Sequence, residues 1–465
     1  MRPCLTDAFG GSIRYSIMTQ QEYARRRGFA LLLVMVCLLR VTAAQAGSGF
    51  QLRSQSATSL GSAQAGMTAG ADDSSLMIHN PAAAGFGSGT DLVVNGTGIF
   101  TGTHFTGGGA TTFLGTQAGG NAGGNGGTIG LLPSFFAVAD LAPNVRAGLA
   151  VTSLFGLGSF WDSGWAGRYY SLNAQVTTID MVPTVTWRPI PTLTLGVGII
   201  AEYAEVKSSA AIDGGSLTAS FGGTPGGNDA AIALRASGWA PGLLLGAIYE
   251  PMPGTRLGLS LRSRIDHGLS GTARFSGPNT NGAGISGVTG LFNGTNVQTS
   301  LAMPATASIG VSHKVTDRLT VMADAQWMQW SAEHALLVTY ANPAQPANYT
   351  ALRWHDSWFV TAGARYQLTD TVAIRGGVAW DQSPTRLATN TPAIPEGDSI
   401  WLAGGLEYRV NANTAITAAY GHIFVTDSTV SQTAAQSGNA ARGQLSGRLT
   451  GGAVDYLALQ MAIHF

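Results

Sequence analysis

Apolar and polar residues alternate with a period of two through much of the C-terminal half of the chain. Trp358, Val360, Ala362, Ala364, Tyr366 and Leu368 share one face of a stretch whose other face carries Thr361, Gly363, Arg365 and Gln367. Val372, Ile374, Val378 and Trp380 oppose Arg375 and Asp381 in the same way. Ile400, Leu402, Leu406, Tyr408 and Val410 oppose Glu407 and Arg409, and Leu257, Leu259, Leu261 and Ile265 oppose Arg262 and Arg264. This is the period of a half-buried strand. About fourteen such segments run from residue 91 to 465, and every second link between them is tight, as at Ala142-Pro143-Asn144, Thr369-Asp370 and Asn411-Ala412-Asn413. The intervening links are long, such as the Gly-rich 106–131 and the polar 427–453. Short turns on one rim, long loops on the other and an even strand count predict an all-β fold, a transmembrane antiparallel β-barrel of about fourteen strands with both ends in the periplasm.

Composition separates this barrel from a soluble sandwich. Only 11% of the 465 residues are charged, 45% are hydrophobic and 64 are glycine, whereas a soluble domain carries about 25% charged residues. The longest apolar run, Phe29 to Leu39, is well short of the roughly 20 residues that span a bilayer as a helix. Leu457, Leu459, Met461, Ile463 and Phe465 alternate to a terminal aromatic, which resembles the signal read by the outer-membrane barrel assembly machinery. Trp161, Trp165, Tyr169, Tyr170, Trp187, Trp327, Trp330, Trp354, Trp358, Trp380 and Trp401 gather at strand ends, so most of them are expected in the two interfacial girdles.

Residues 1–46 read as a secretory signal peptide: Arg25, Arg26 and Arg27 precede the apolar run, and Ala44-Gln45-Ala46 offers a small-x-small cleavage site. Met18 is an alternative start. Arg26-Arg27 with Phe29 faintly resembles a twin-arginine signal, but a barrel must cross unfolded, which favours ordinary export. Val36 before Cys37 argues against a lipoprotein site. Both cysteines, Cys4 and Cys37, fall in the removed part, leaving neither a disulfide framework nor a thiolate metal site. Removal takes six Arg and two acids, so 25 − 6 = 19 basic residues face 25 − 2 = 23 acidic ones. That balance gives no electrostatic case for nucleic-acid binding.

Residues 47–87 precede the first strand and show no alternation, so they are expected to fold into the lumen as a plug, with the barrel itself spanning 88–465. A barrel this wide leaves an aqueous lumen if empty. The segment "ADDSSLMIHNPAAAGF" resembles the N-terminal hatch of the FadL family of outer-membrane long-chain fatty-acid transporters, whose Asn-Pro-Ala motif is here Asn80, Pro81 and Ala82. Gly49-Phe50 matches the family's Gly-Phe after cleavage. "VTSLFGLGSFW" with "WAGRYY" is similar to the family's third strand and the segment after it, and "LAMPATASIGVSHKVTDRLTVMADAQWMQWS" to the ninth-strand region. "GGVAWDQSPTRLATNTPAIPEGDSIWLAGGLEYRVN" resembles the family's most recognisable block. The resemblance covers essentially the whole mature chain.

It implies a plugged barrel for diffusive uptake of hydrophobic molecules, with a lateral opening at an inward kink of the third strand, here Ser153, Leu154, Phe155 and Gly156. Glycine inside a strand often marks a sharp bend. Capture of a carboxylate needs a cation in an apolar pocket, and Lys207, Arg235, Arg262, Arg264 and His355 are the candidates. The expected partners are a long-chain fatty acid or other hydrophobic small molecule, outer-membrane lipids and lipopolysaccharide, and the assembly machinery. The chain is expected to be a monomer without cofactor or metal. An importer of aromatic hydrocarbons is the alternative within the fold. A lipid-processing enzyme would need a nucleophile beside a histidine, and no compact Ser-His or metal motif occurs. A structural or adhesin barrel would not need a plug.

Overall fold

The computed structural model describes residues 49–436 and 438–465. The expected signal segment, with Met18, Cys4 and Cys37, and the first two residues of the expected plug lie outside them. Strands form where the alternation predicts them, and they group into fourteen. These are β1 (Thr90–Thr111), β2 (Ile129–Ala142), β3 (Val145–Thr152 and Gly156–Phe160), β4 (Asn173–Ile190), β5 (Leu193–Ile212), β6 (Ala230–Met252) and β7 (Thr255–Arg262 and Ile265–Ser276). The second half comprises β8 (Thr295–Met303 and Thr306–Lys314), β9 (Leu319–Met328 and Ala335–Tyr340), β10 (Asn348–Ala351 and Ser357–Gln367), β11 (Val372–Asp381), β12 (Ser399–Asn411), β13 (Thr414–Val425 and Ser428–Gln432) and β14 (Gln444–His464). Each pairs antiparallel with the next, and β1 closes the ring on β14 from Asp91↔His464 to Thr111↔Gln444. The result is a closed antiparallel barrel.

Several strands run further outward than their hydrophobic pattern: β1 continues through "TGGGAT", β5 through "SSAAI" and β14 begins at Gln444. Beyond the lipid layer a strand needs no apolar face, so these extensions carry no alternation to read.

The alternation itself has the sense a membrane demands. Trp358, Val360, Tyr366 and Leu368 are exposed, while Phe359 and Thr361 between them are buried. Two levels of outward aromatics bound the apolar band on β4–β6. Trp187 and Tyr249 lie near the short turns; Tyr203 and Trp239, cross-strand partners with ring centroids 5.4 Å apart, lie on the loop side. Between them Val197, Ile199, Leu243 and Leu245 are exposed. Leu193 and Leu195, paired with Tyr249 and Trp187, precede Tyr203 by 203 − 193 = 10 and 203 − 195 = 8 residues. At about 3.4 Å per residue and about 40° tilt this spans about 21–26 Å, the height of an outer-membrane apolar band.

The girdle expectation holds for Trp187, Trp358 and Trp380, which are exposed, but not for most of the set. Trp161, Trp165, Tyr169, Tyr170, Trp330, Trp354 and Trp401 are buried. Trp401 has the opposite parity to its exposed neighbours Ile400 and Leu402 and stacks on Tyr456 in the lumen. The others fall in loops and strand interruptions that fold inward, where closeness to a strand end says nothing about direction.

Residues 49–86 are almost entirely buried. Their contacts lie all round the ring, which places them in the lumen: Ala57 N donates to Asn95 on β1 and Gln460 on β14, Gly66 N and Thr68 N to Asp324 on β9, and Thr361 on β10 donates to Ala63 O. The segment folds as short capped turns. Ser56 caps Ala57–Leu60, Asp73 caps Ser74–Ile78, and Asn80 caps the 3-10 turn Pro81–Gly85.

Candidate functional site

Pro81 fixes one φ and starts its turn, while Asn80 holds it. The Asn80 Oδ1 accepts from Ala82 N at 3.0 Å, and its Nδ2 donates to Thr68 O at 2.6 Å. The turn lies against the wall where β5 and β6 carry Gly196 and Gly246. A methyl group on Gly246 would collide with the Asn80 carboxamide, and one on Gly196 with the Ala82 backbone. The alanines and these two glycines therefore let the turn pack directly on the strands.

The interruption of β3 falls at Ser153, Leu154 and Phe155. Below it β3 pairs with β2, from Ala142↔Val145 to Phe135↔Val151, and the hydroxyls of Ser134 and Thr152 meet at 2.6 Å. Above it Gly156–Phe160 pairs with β4 only, and among the described residues no ladder joins it to Ile129–Pro133 of β2. Past this stretch Phe160 N donates to Gly126 O at 3.0 Å, in the loop that leads into β2. The β2–β3 ladder thus stops at the break, which leaves a seam between the two strands. The backbone of the break is satisfied from within the lumen: Leu52 N donates to Leu154 O and Gly156 N to Phe50 O, both at 2.8 Å, and Gln55 Nε2 donates to Ser153 O at 2.8 Å. Leu154 N donates to Asp180 Oδ2 at 3.1 Å and Phe155 N to Thr178 Oγ1 at 3.1 Å.

Above this point lies a cavity with about 1180 Å³ of empty space, part of it open to solvent. Its wall is aliphatic, with Leu157, Val176, Val206, Leu234 and Leu301. Phe50 closes one end, edge-on to Trp330 at 4.8 Å and to Phe155 at 6.1 Å. At the loop end stand Tyr170, Tyr340, Asn348 and Arg442. The Arg442 Nη2 donates to Asn348 Oδ1 at 2.9 Å, and its guanidinium stands 5.9 Å from the centre of the Tyr170 ring. Among the described residues no carboxylate forms an ion pair with it. Desolvation draws its pKa below the ordinary value, opposed only by Tyr170 and Tyr340, and an arginine there stays charged.

The cations read from the sequence lie elsewhere. Arg262 is buried under the break, with its Nη2 2.5 Å from Asp180 and 2.8 Å from Glu202; Glu202 also meets His267 Nε2 at 2.8 Å. Lys207 and Arg235 are cross-strand partners on the face shared with Tyr203 and Trp239, so their side chains point outward and not into the lumen. Lys207 borders the cavity through its strand position, but its ammonium pairs with Glu205 on the outer face at 2.5 Å, as does Arg235 at 2.5 Å. Exposed Arg264 pairs with Asp266 at 2.6 Å. His355, between the two parts of β10, has Nδ1 2.7 Å from Asp356 O. A charge is visible in a sequence; the face it takes depends on parity carried from an anchored residue such as Trp239. Arg442 escapes pattern reading because it stands in a loop, residues 433–443, that is rich in alanine and has no periodicity.

The chain was also compared with known proteins. Residues 38–465 match the family model described as outer membrane protein transport protein (OMPP1/FadL/TodX). The long-chain fatty acid transport protein of Escherichia coli O6:H1 is 27% identical over 407 residues, 83% of this chain and 88% of that protein. Outer membrane protein P1 of Haemophilus influenzae is 25% identical over 422 residues, 84% of this chain and 89% of the relative. The crystal structure of a Pseudomonas aeruginosa FadL homologue superimposes with a TM-score of 0.82 at 25% identity, covering 90% of this chain and 100% of that one. The Pseudomonas putida toluene transporter TodX shares the fold at a TM-score of 0.64 and 16% identity, over 87% and 98% of the two chains. With a closed barrel, an apolar lumen cavity and a match over nearly its whole length, this chain belongs to the OMPP1/FadL/TodX family of outer-membrane transport proteins.

Proposed function

We propose that the protein takes up long-chain fatty acids by passive diffusion. The acid binds in the lumen cavity, residues 49–52 shift, and the ligand leaves sideways through the seam beside Ser153–Gly156. Residues 47–87 act as the plug that keeps the lumen from leaking. The observation that carries this reading is the polarity of the cavity: an aliphatic wall ending on Phe50, with Arg442 at the other end, where no carboxylate among the described residues pairs with it. A neutral ring gives such a cation nothing to neutralise, whereas a fatty acid matches both ends. Each buried CH₂ contributes about 0.8 kcal/mol, so the tail dominates affinity. A charge-assisted hydrogen bond adds about 1.5–3 kcal/mol, making the head group secondary. The proposed route suits a molecule that prefers the bilayer to water.

Import of aromatic hydrocarbons is the second reading, favoured by the ring cluster of Phe50, Phe155, Trp330 and Trp354 at the cavity end. Mass spectrometry of the ligand extracted from detergent-purified protein tests the choice. Fatty acids of about sixteen carbons support the first reading, and aromatic compounds in their place would replace it.

A further inference from the structure

We propose that the outer wall at β4–β7 carries a docking site for the phosphorylated glycolipid of the outer leaflet, built from Lys207, Arg235 and Arg274. The inference rests on the outer-membrane location of the barrel and not on which cargo it carries.

The site follows from cross-strand register. Gln175 pairs with Lys207, Lys207 with Arg235, and Arg235 with Thr272, while Arg274 pairs with Ala233. Directly opposed residues share a face, so Gln175, Lys207, Arg235 and Thr272 form one row, with Arg274 two positions along. The face is the outer one: of the residues that alternate with these, Leu234, Ala236 and Ala273 belong to the lumen core and Val206 packs against it. Lys207 is 41% exposed and Arg235 67% exposed. The cations line a shallow cleft with Asn173, Gln175, Ser209 and Thr272, all able to hydrogen-bond a phosphate or sugar.

Its height on the barrel identifies the occupant. Tyr203 and Trp239 mark the outer edge of the apolar band, and Lys207 and Arg235 lie four residues beyond them on their strands. At about 3.4 Å per residue with tilt, that is about 10 Å above the ring pair. Acyl chains end at the level of Trp239, and the anionic head groups of the lipids that carry them stand at the level of the cleft. The charge has the matching sign. Glu205 holds both Lys207 and Arg235 in place, and Arg274 forms no ion pair among the described residues. Three cations against one carboxylate leave 3 − 1 = 2 positive charges facing lipid head groups. Multiple phosphates on one glycolipid satisfy such a cluster better than a singly charged phospholipid does, because several contacts then share one molecule's ordering cost.

The test uses the full-length protein in detergent and native mass spectrometry with added bis-phosphorylated lipid A. Wild-type protein should retain it, and the triple variant Lys207→Gln, Arg235→Gln, Arg274→Gln should retain at least tenfold less. Enzymatic removal of the lipid A phosphates should reduce retention by the wild type to the level of the variant. Glu205→Gln, which removes the one opposing charge, should raise retention. Inorganic phosphate at the same concentration should not displace lipid A. Assembly of each variant is checked by its heat-dependent shift on a gel; should the triple variant not assemble, exposed Arg274→Gln alone should still lower retention several-fold. Equal retention by wild type and variants, or displacement by inorganic phosphate, overturns the proposal.

Discussion

Gly156 donates its backbone amide to the carbonyl of Phe50 at 2.8 Å. The bond joins the interruption of β3 to the beginning of the lumen segment, and the reciprocal bond from Leu52 to Leu154 makes it a short antiparallel pairing. Each unsatisfied backbone group at membrane depth costs several kcal/mol. The break in the wall is therefore stable only while residues 50–52 lie against it, or while ligand or water replaces them. Cavity and seam are coupled through Phe50, whose ring closes the cavity while its carbonyl completes the wall.

Phe50→Ala should loosen this coupling without disturbing the barrel. The ring is buried against Phe155, Trp330 and Trp354, and Phe→Ala in a packed core costs about 3–5 kcal/mol. Hydrogen exchange of the Leu52 and Gly156 amides should quicken by about a hundredfold or more, while the amides of the β11–β12 ladder keep their protection. Unchanged exchange at Leu52 would show that the ring does not hold the pairing.

Deleting Asn80 to Ala82 removes a capped turn that packs directly on Gly196 and Gly246. The barrel should still assemble and show heat-modifiable mobility, because its ladders close without this turn. Uptake of oleate should fall, and planar-bilayer recordings should show larger ion conductance than the wild type. Normal uptake with a silent bilayer would remove the plug from the account.

Arg442→Gln should lower affinity for palmitate about tenfold, which at about 1.4 kcal/mol per decade corresponds to one charge-assisted hydrogen bond. Affinity for the methyl ester should not change. The wild type should bind acids with steeply rising affinity from eight to sixteen carbons, measured by displacement of a fluorescent fatty acid. Equal losses for acid and ester would assign Arg442 a structural role in the loop.

Ser153→Arg places a long cation where Ser153 is fully buried and its hydroxyl donates to Phe155 O at 3.0 Å. The substitution should obstruct the seam and slow uptake by at least tenfold while palmitate still binds. Wild-type uptake by a correctly assembled variant would move the exit elsewhere.

The barrel was legible because lipid contact writes a period of two into each strand and periplasmic turns leave short polar links. Strand number, order and most inner ends derive from that. Outer extensions such as "TGGGAT" in β1 were not, since a strand above the bilayer carries no such pattern. The lumen segment showed itself through the absence of alternation, and the interrupted strand through its family resemblance. The site's cations were the hard part. Arg262 proved to serve Asp180 and Glu202, Lys207 and Arg235 face outward, and Arg442 reaches the cavity from a loop whose path only the folded chain defines. Long-range packing decides those positions, and local pattern does not encode it.

The central claim, that residues 50–52 must leave the β3 break for ligand to pass, is tested most directly by a reversible lock. Gln51 and Phe155 form a bridge flanked by the two backbone bonds, a non-hydrogen-bonded pair with Cα atoms about 4.5 Å apart, within the range a disulfide spans. Cys4 and Cys37 lie in the segment expected to be removed on export and the sequence after residue 37 contains no cysteine, so in a chain so processed Gln51→Cys with Phe155→Cys creates a single possible bridge. Oleate uptake by cells carrying this variant should stop under oxidising conditions and return on adding a reductant, with each single-cysteine variant insensitive to both. Uptake that continues at the same rate with the disulfide fully formed would contradict the account.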